Sequence, residues 1–275
     1  TMRLPFLLAT MGAALALAGC AGAIRDRIYF PASLAETPVT FAGETPQDIT
    51  ARTGDGLDLA GYYWPAASGT DTLVVYFHGN GNNQLVGAAR AEPLRKGGHG
   101  VLVASYRGYG GNPGSPSETG LFADGEAWMA KARELAPGAK IYLFGHSLGG
   151  AVALEMAARH EVAGVATLGT FARLKDQAPG IARGILPDRY DNVAAIRRVS
   201  EPVLLLHGTE DDVVPIAAGE ELAKAAPNAT LVRLTGAGHD VDLAQIADRL
   251  WEVWRPWYIS YEKGDAAAPP DISSK

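Results

Sequence analysis

Cysteine and positive charge are both scarce in this chain of 275 residues. Cys20 is the only cysteine, so an intrachain disulfide is impossible. The 24 lysines and arginines are outnumbered by 30 acids, which gives a net charge of −6. They are interspersed with the acids and form no basic stripe, so no nucleic-acid partner is expected. The apolar content of 47% is sufficient for one domain with a full core.

The N-terminus also lacks an apolar run long enough to span a membrane comfortably as a permanent helix, since residues 4–17 are too few. The run follows Arg3 and ends in Leu-Ala-Gly-Cys at Cys20. This resembles a bacterial lipoprotein signal, in which small residues precede a cysteine that becomes N-terminal and acylated after cleavage. The resemblance implies a signal peptide at 1–19 and a lipid anchor on Cys20. Ala21, where some lipoproteins have aspartate, implies the outer membrane if the source is a diderm bacterium. An ordinary secretory signal with a stray cysteine is the alternative.

Apolar β-branched runs alternate with helical patterns through the rest of the chain. Strands are predicted at 48–52, 57–64, 72–77, 100–104, 141–144, 165–168, 203–206 and 230–234, and helices at 84–96, 119–136, 148–159, 216–225 and 241–260. The first two strands alternate as an antiparallel pair, whereas the later alternation of strand and helix implies a mostly parallel sheet covered on both faces. The sequence therefore predicts one α/β domain at 20–262, with a disordered tail at 263–275.

Ser147 stands between glycines in the stretch FGHSLGG, where a strand is predicted to turn at once into a helix. Gly145 and Gly149 lack the Cβ atoms that would clash in such a corner, which leaves Ser147 at the tip in a strained backbone conformation. This G-x-S-x-G pattern is typical of a nucleophile elbow. A serine that only caps the helix is the alternative.

Several separated motifs resemble the alpha/beta-hydrolase superfamily. The closest similarity is to a branch with a small lid that includes depalmitoylase-like and serine-aminopeptidase-like hydrolases. The motifs are IYFP at 28–31, SYRGYGGNPGSPSE at 105–118, GHSLGG at 145–150, PDRYDN at 187–192 and HGTEDDVVP at 207–215. The resemblance implies the alpha/beta-hydrolase fold, with a mostly parallel eight-stranded sheet, helices on both faces and a short lid at about 171–200.

Two positions depart from that branch. Ser105 stands where relatives commonly have aspartate before Tyr-Arg-Gly, and a change of packing around Arg107 is expected from it. His239 is followed by Asp240, whereas this branch often has asparagine there. The first departure leaves the predicted catalytic residues unchanged, and the second weakens a close transfer of function.

A serine hydroxyl is a poor nucleophile at neutral pH, so it needs a base that is itself oriented by a carboxylate. In the superfamily the acid and then the histidine follow the serine along the chain. His239, in the Gly-rich loop after the last predicted strand, is the predicted base, and His207 is interpreted as structural. The H-G-x-x-D-x-x-V-P pattern implies that Asp211 is the acid. Its neighbours Glu210 and Asp212 are interpreted as solvated loop charges.

The developing oxyanion needs two hydrogen-bond donors. One is the backbone N–H of Leu148, directly after the serine. The other is implied by FHGNGNN, which resembles the His-Gly oxyanion loop of the superfamily and points to the N–H of Asn80. A phosphate-binding loop is excluded because no Gly-Lys-Ser/Thr follows. A plain turn is the alternative.

These residues predict a lipid-anchored serine hydrolase of the cell envelope that cleaves carboxylic esters or thioesters, with no metal or cofactor. The short lid favours a lipid-like acyl substrate that extends into solvent or membrane. Peptide or amide cleavage is the second hypothesis. A third is an envelope lipoprotein that uses the hydrolase scaffold only for binding.

Aromatic residues recur at every third or fourth position of the last predicted helix. They are Trp251, Trp254, Trp257, Tyr258 and Tyr261. Packing against the sheet is the first interpretation. Contact of the last three with the membrane surface is the second.

Overall fold

The computed structural model of the protein describes residues 22–34, 38–178, 180, 182–248 and 250–251. The predicted signal peptide, Cys20 and the tail at 263–275 lie outside these ranges. So do Trp254, Trp257, Tyr258 and Tyr261, together with most of the helix predicted at 241–260.

All eight predicted strands are present, and they form one sheet. They are β1 (Gln47–Arg52), β2 (Asp58–Trp64), β3 (Thr72–Phe77), β4 (Gly100–Ala104), β5 (Lys140–His146), β6 (Gly164–Leu168), β7 (Val203–Gly208) and β8 (Ala229–Leu234). Their order is β1-β2-β4-β3-β5-β6-β7-β8. β2 runs antiparallel to both neighbours, and the other five pairings are parallel. The predicted sheet and its antiparallel first pair are therefore confirmed.

Among the described residues, five α-helices connect the strands. They are α1 (Gln84–Ala91), α2 (Glu118–Leu135), α3 (Leu148–Ala157), α4 (Asn192–Ile196) and α5 (Ala217–Ala225). The helix predicted at 84–96 changes to a 3-10 helix at Glu92–Arg95, because Pro93 cannot donate the N–H that an α-helix requires. Short α4 was not predicted; the Asp191 side chain caps it by accepting from Ala194 N–H at 3.0 Å.

The last predicted helix begins later than the sequence indicated. The Asp242 side chain accepts from Ala244 N–H at 2.9 Å, which caps a 3-10 turn at Leu243–Gln245. Within the stretch predicted as this helix, the described α-helical residues are 247–248 and 250–251. Within the described ranges, no helix combines the length and the apolarity needed to cross a bilayer.

The sheet separates two hydrophobic cores, because successive side chains of a strand point to opposite faces. On β3, Val75 and Phe77 enter one core, whereas Val74 and Tyr76 enter the other. The first core is covered by α2 to α5, with Trp128 of α2 fully buried, and the second by α1 and the chain around Trp251. Trp251 is 7% exposed and donates to the Leu94 carbonyl at 3.1 Å. For this aromatic residue, core packing is confirmed.

The carboxyl ends of β3, β5, β6, β7 and β8 lie along one edge of the sheet, which is where open α/β sheets place their sites. The loops after these strands carry every residue predicted for catalysis. The predicted lid follows β6. Its first part, expected to hold one or two short helices, contains the 3-10 turns Leu174–Gln177 and Ala182–Gly184.

Candidate active site

The corner between β5 and α3 holds Ser147 in the strained conformation that its sequence predicts. Its φ of 52° and ψ of −114° put it in a region that non-glycine residues rarely adopt. A Cβ on Gly145 would collide with the backbone of Gly149, and one on Gly149 would collide with the carbonyl of Phe77. The Ser147 N–H donates to the Leu168 carbonyl at 2.8 Å, which ties the corner to β6.

Asp211 and His239 are in direct contact. His239 Nδ1 lies 2.8 Å from Asp211 Oδ2, and the Asp211 side chain is 0% exposed. Its other oxygen accepts from the N–H groups of Val213 at 3.0 Å and Val214 at 2.7 Å. Because an ionised carboxylate only accepts, Nδ1 carries the proton, and Nε2 is left with the lone pair that a general base needs.

The neighbouring acids have no such contact with the histidine. Glu210 and Asp212 are both exposed. This is what their interpretation as solvated loop charges requires. His207 Nε2 donates to the Val214 carbonyl at 2.8 Å, so its structural interpretation agrees with the fold. His207 also lies 3.4 Å from Asp211 Oδ2 and therefore helps to fill the space around that carboxylate.

Ser147 Oγ makes no hydrogen bond with His239 among the described residues. The residue before Ser147 does lie close to the base, since the rings of His146 and His239 have centroids 5.0 Å apart. In proteins without a bound substrate, such catalytic contacts are often long. The structure thus joins the predicted base and acid, and it brings the predicted nucleophile's neighbour beside them.

Gly169, directly after β6, closes one side of the His239–Asp211 pair. Its φ is +61°, and a Cβ there would lie 3.0 Å from His239 Nδ1 and 3.2 Å from Asp211 Oδ2. The sequence motifs did not point to this residue. The signal that could have found it is the Gly-Thr pair at the carboxyl end of a predicted core strand.

A second missed group holds the loop that carries His239. Arg90 of α1 pairs with Asp240 at 2.7 Å, and His146 Nε2 lies 3.2 Å from the His239 carbonyl. Because a carbonyl only accepts, His146 carries its proton on Nε2. Burial, and then the charge of Arg90, lowers the pKa of His146 to about 4. A neutral imidazole therefore stands beside Ser147, and Asp240, noted as a departure from the branch, has a partner of its own.

Asn80 lies in the loop after β3, and its side chain makes three structural hydrogen bonds. Oδ1 accepts from Phe30 N–H at 2.9 Å and from Tyr109 OH at 2.7 Å, while Nδ2 donates to the Ile28 carbonyl at 2.6 Å. Among the described residues, the backbone N–H groups of Asn80 and Leu148 have no hydrogen-bond partner. Both remain available as donors.

Ser105 is buried, and its hydroxyl contacts side chains of the loop after β3 and of α1. Its hydroxyl lies 3.1 Å from His78 Nε2 and 3.2 Å from Gln84 Oε1. The Arg107 side chain instead pairs with Asp124 and Asp55. Two separate carboxylates therefore engage the Arg107 guanidinium, and altered packing around Arg107 stays a prediction.

Among the residues that the structure describes, the other titratable groups form no second centre of this kind. His160 Nε2 lies 2.6 Å from Glu126 Oε2, between α2 and the end of α3, and so points away from the edge that carries Ser147. In the described part of the chain, no three His, Cys, Asp or Glu residues are grouped so as to hold a metal ion.

Family models match most of the domain. The model of the alpha/beta hydrolase fold matches residues 72–195, and that of a TAP-like protein matches residues 187–246. An uncharacterized protein of Mycobacterium tuberculosis is 36% identical over 226 residues, which cover 78% of this chain and 80% of that protein. The alpha/beta hydrolase domain-containing protein 17C of Xenopus tropicalis is 33% identical over 168 residues, 59% of this chain and 53% of that protein.

Solved structures agree on the fold. An esterase of Pyrococcus furiosus superposes with a TM-score of 0.66 at 18% identity, over 85% of this chain and 97% of that one. Est1E of Butyrivibrio proteoclasticus superposes with a TM-score of 0.62 at 20% identity, over 78% of this chain and 99% of that one. Together with the family models, the M. tuberculosis relative and the eight-stranded sheet, these similarities show that the chain belongs to the alpha/beta-hydrolase superfamily.

Proposed function

We propose that this protein is a serine hydrolase that cleaves carboxylic esters or thioesters. Ser147 is the nucleophile, His239 the general base and Asp211 the residue that orients it. The N–H groups of Asn80 and Leu148 bind the oxyanion. The observation that carries the proposal is the 2.8 Å contact between His239 and a fully buried Asp211, at the same sheet edge as a strained serine.

The reaction proceeds in two halves. Ser147 Oγ attacks the acyl carbonyl while His239 Nε2 takes its proton, and the alcohol or thiol leaves with that proton. Water then attacks the acyl-enzyme with His239 again as base, which releases the acid and restores the serine. Each oxyanion donor contributes on the order of 10²–10³ in kcat, because it meets charge that develops only in the transition state.

The acyl class is inferred from the lid and from relatives. Only 34 residues, 169–202, separate β6 from β7, and a lid this short favours an open site that accommodates an acyl or alcohol group extending outward. Similar folds occur in proteins described as esterases, which favours esters over amides. The resemblance to depalmitoylase-like hydrolases adds thioesters. Amide cleavage is the second candidate, on the resemblance to serine aminopeptidases.

The proposed setting is the cell envelope, with the protein held by a lipid on Cys20 and the outer membrane as its site in a diderm host. The described chain begins two residues later. Metabolic labelling with an alkyne fatty acid tests this: the wild type should carry the label and fractionate with membranes, and Cys20→Ser should remain a longer precursor. An unlabelled, soluble wild type would mean an ordinary signal peptide.

The activity is tested with a panel of p-nitrophenyl esters, acyl thioesters and aminoacyl anilides. Turnover of esters or thioesters is expected, and Ser147→Ala should reduce it by on the order of 10³-fold or more without loss of folding. Faster hydrolysis of the anilides than of the esters and thioesters would establish amide cleavage as the function. If the panel is not hydrolysed and a fluorophosphonate probe does not label the wild type, the protein uses the scaffold only for binding.

A further inference from the structure

The residues that follow the predicted lipid anchor are packed onto the active-site edge. Residues 25–33, here called the strap, run past the loop after β3. Asn80 bonds the strap through both ends of its side-chain amide, to Phe30 N–H and to the Ile28 carbonyl. Nearby, the Gly110 N–H donates to the Ala32 carbonyl at 3.1 Å, and Asn83 Nδ2 donates to the Ser33 carbonyl at 3.0 Å. The loop that carries a proposed oxyanion donor is therefore bonded to a segment about fifty residues earlier.

The strap also holds the far end of the predicted lid. Arg25 donates to both oxygens of Asp188, at 2.9 Å and 3.0 Å. Tyr29 OH donates to the same carboxylate at 3.0 Å and lies 2.9 Å from Tyr190 OH. Asp188 and Tyr29 are each 2% exposed. Leaving a buried carboxylate without one of its partners costs free energy of folding. The contacts of Asp188 with Arg25 and Tyr29 are therefore expected to persist in the folded protein.

Backbone strain marks the same place. Ser147 and Tyr190 are the two non-glycine residues of the described chain with positive φ, and Tyr190 has a φ of 39°. Its N–H is fixed by Glu118 Oε1 at 2.8 Å, and its hydroxyl meets Tyr29. Strained residues persist only where their surroundings over-determine them, and they concentrate at functional sites. The strap supplies part of that restraint.

We propose that the strap is a positioning element for the reaction. By bonding the Asn80 side chain on one side and the Asp188–Tyr190 segment on the other, it fixes the Asn80 backbone where its N–H meets the oxyanion. This inference rests on the proposed serine hydrolase function. It makes the rate of acylation depend on Tyr29, which lies outside the reacting groups. It also means that the segment next to the proposed lipid anchor contributes to catalysis.

The test is Tyr29→Phe in the full chain, which deletes one hydroxyl and both of its bonds. We expect kcat on a p-nitrophenyl ester and the second-order rate of fluorophosphonate labelling to fall about tenfold, less than the loss of a whole oxyanion donor. KM should stay within about twofold, because ground-state binding is unchanged. Tyr63→Phe is the matched control. Tyr63 is a buried tyrosine at the amino edge of the sheet, and its hydroxyl has no hydrogen bond among the described residues.

A double-mutant cycle separates positioning from simple destabilisation. If Tyr29 acts through Asn80, Tyr29→Phe should cost little further activity in an Asn80→Ala background, whereas independent effects would multiply. Multiplicative losses, or Tyr29→Phe activity within twofold of the wild type, would overturn the inference. If Tyr29→Phe does not fold, the same measurements on Arg25→Gln test the inference, and the same loss of rate is expected. Arg25→Lys should recover most of the rate.

The two proposals fail in different ways. A wild type that a fluorophosphonate does not label refutes the serine hydrolase itself. If the wild type is labelled, Ser147→Ala is not, and Tyr29→Phe reacts at the wild-type rate, then the hydrolase stands and the strap has no part in catalysis.

Discussion

The two sides of the candidate site are held together by different means. On the base side, Asp211 is fixed by N–H groups two and three residues later and by a histidine from the adjoining strand's loop. On the oxyanion side, Asn80 is fixed by residues 50 and 52 positions earlier and 29 positions later. The Asp211 carboxylate is thus held mainly by a short motif, whereas the Asn80 side chain is held entirely by the tertiary fold. Substitutions near the motif should act sharply and locally, and those on the oxyanion side should act from a distance.

The largest effect is expected on the base side, from Asp211→Asn. An amide cannot hold His239 in the required tautomer or stabilise its cation, so kcat should fall by on the order of 10³–10⁴. Asp212→Asn is the matched control, since Asp212 is exposed, and it should stay within about twofold of the wild type. Steady-state kinetics on one ester measures both. If Asp212→Asn were the damaging change, the loop register would be wrong and the two sides would no longer differ as described.

Gly169→Ala should have the next largest effect. The new Cβ would press on both members of the His239–Asp211 pair, at 3.0 Å and 3.2 Å. Displacement of catalytic groups by about 1 Å costs on the order of 10² in rate. Gly236→Ala controls for backbone strain, because Gly236 also has a positive φ, of 72°, but nothing within 4 Å of its Cβ position. Equal kcat values for the two variants would show that the space beside the pair is not critical.

The two sides should contribute in the same direction to the pH dependence of the free energy of unfolding. Each buries one neutral histidine: burial lowers the pKa of His78 to about 4, as it does for His146. A histidine whose folded pKa lies below its unfolded value of about 6.5 contributes stability that is present above pH 6.5 and lost as pH falls toward 4. The free energy of unfolding should therefore decrease between pH 7.5 and pH 5.

His78→Gln isolates the oxyanion-side contribution to this decrease. Removing that titration should reduce the decrease by about 1–2 kcal/mol, as measured by urea unfolding at the two pH values. His146→Gln should do the same for the base side. An unchanged pH dependence in His78→Gln would mean that the folded protein accepts a proton there as readily as the unfolded chain.

The same contrast explains what the sequence could predict. Asp211 and His239 follow strands whose apolar runs are unmistakable, and short-range hydrogen bonds then place the Asp211 carboxylate. Gly169, Arg90 and the strap act across long separations in the chain. Neither IYFP nor the helix that contains Arg90 has a local feature that indicates its partner. The partners are brought near only by the order of the strands in the sheet and by the path of the lid. The displaced start of the last helix has a local cause in the Asp242 cap, which the apolar pattern concealed.

Residue-level identification of the nucleophile tests the central claim most directly. The wild type is reacted with a fluorophosphonate, digested with trypsin and analysed by tandem mass spectrometry. Cleavage after Lys140 and Arg159 places Ser147 in the peptide 141–159, in which it is the only serine. We predict one adduct per chain, on Ser147, and its loss in Ser147→Ala and near-loss in Asp211→Asn. An adduct on another residue, or full labelling of Ser147→Ala, would contradict the account.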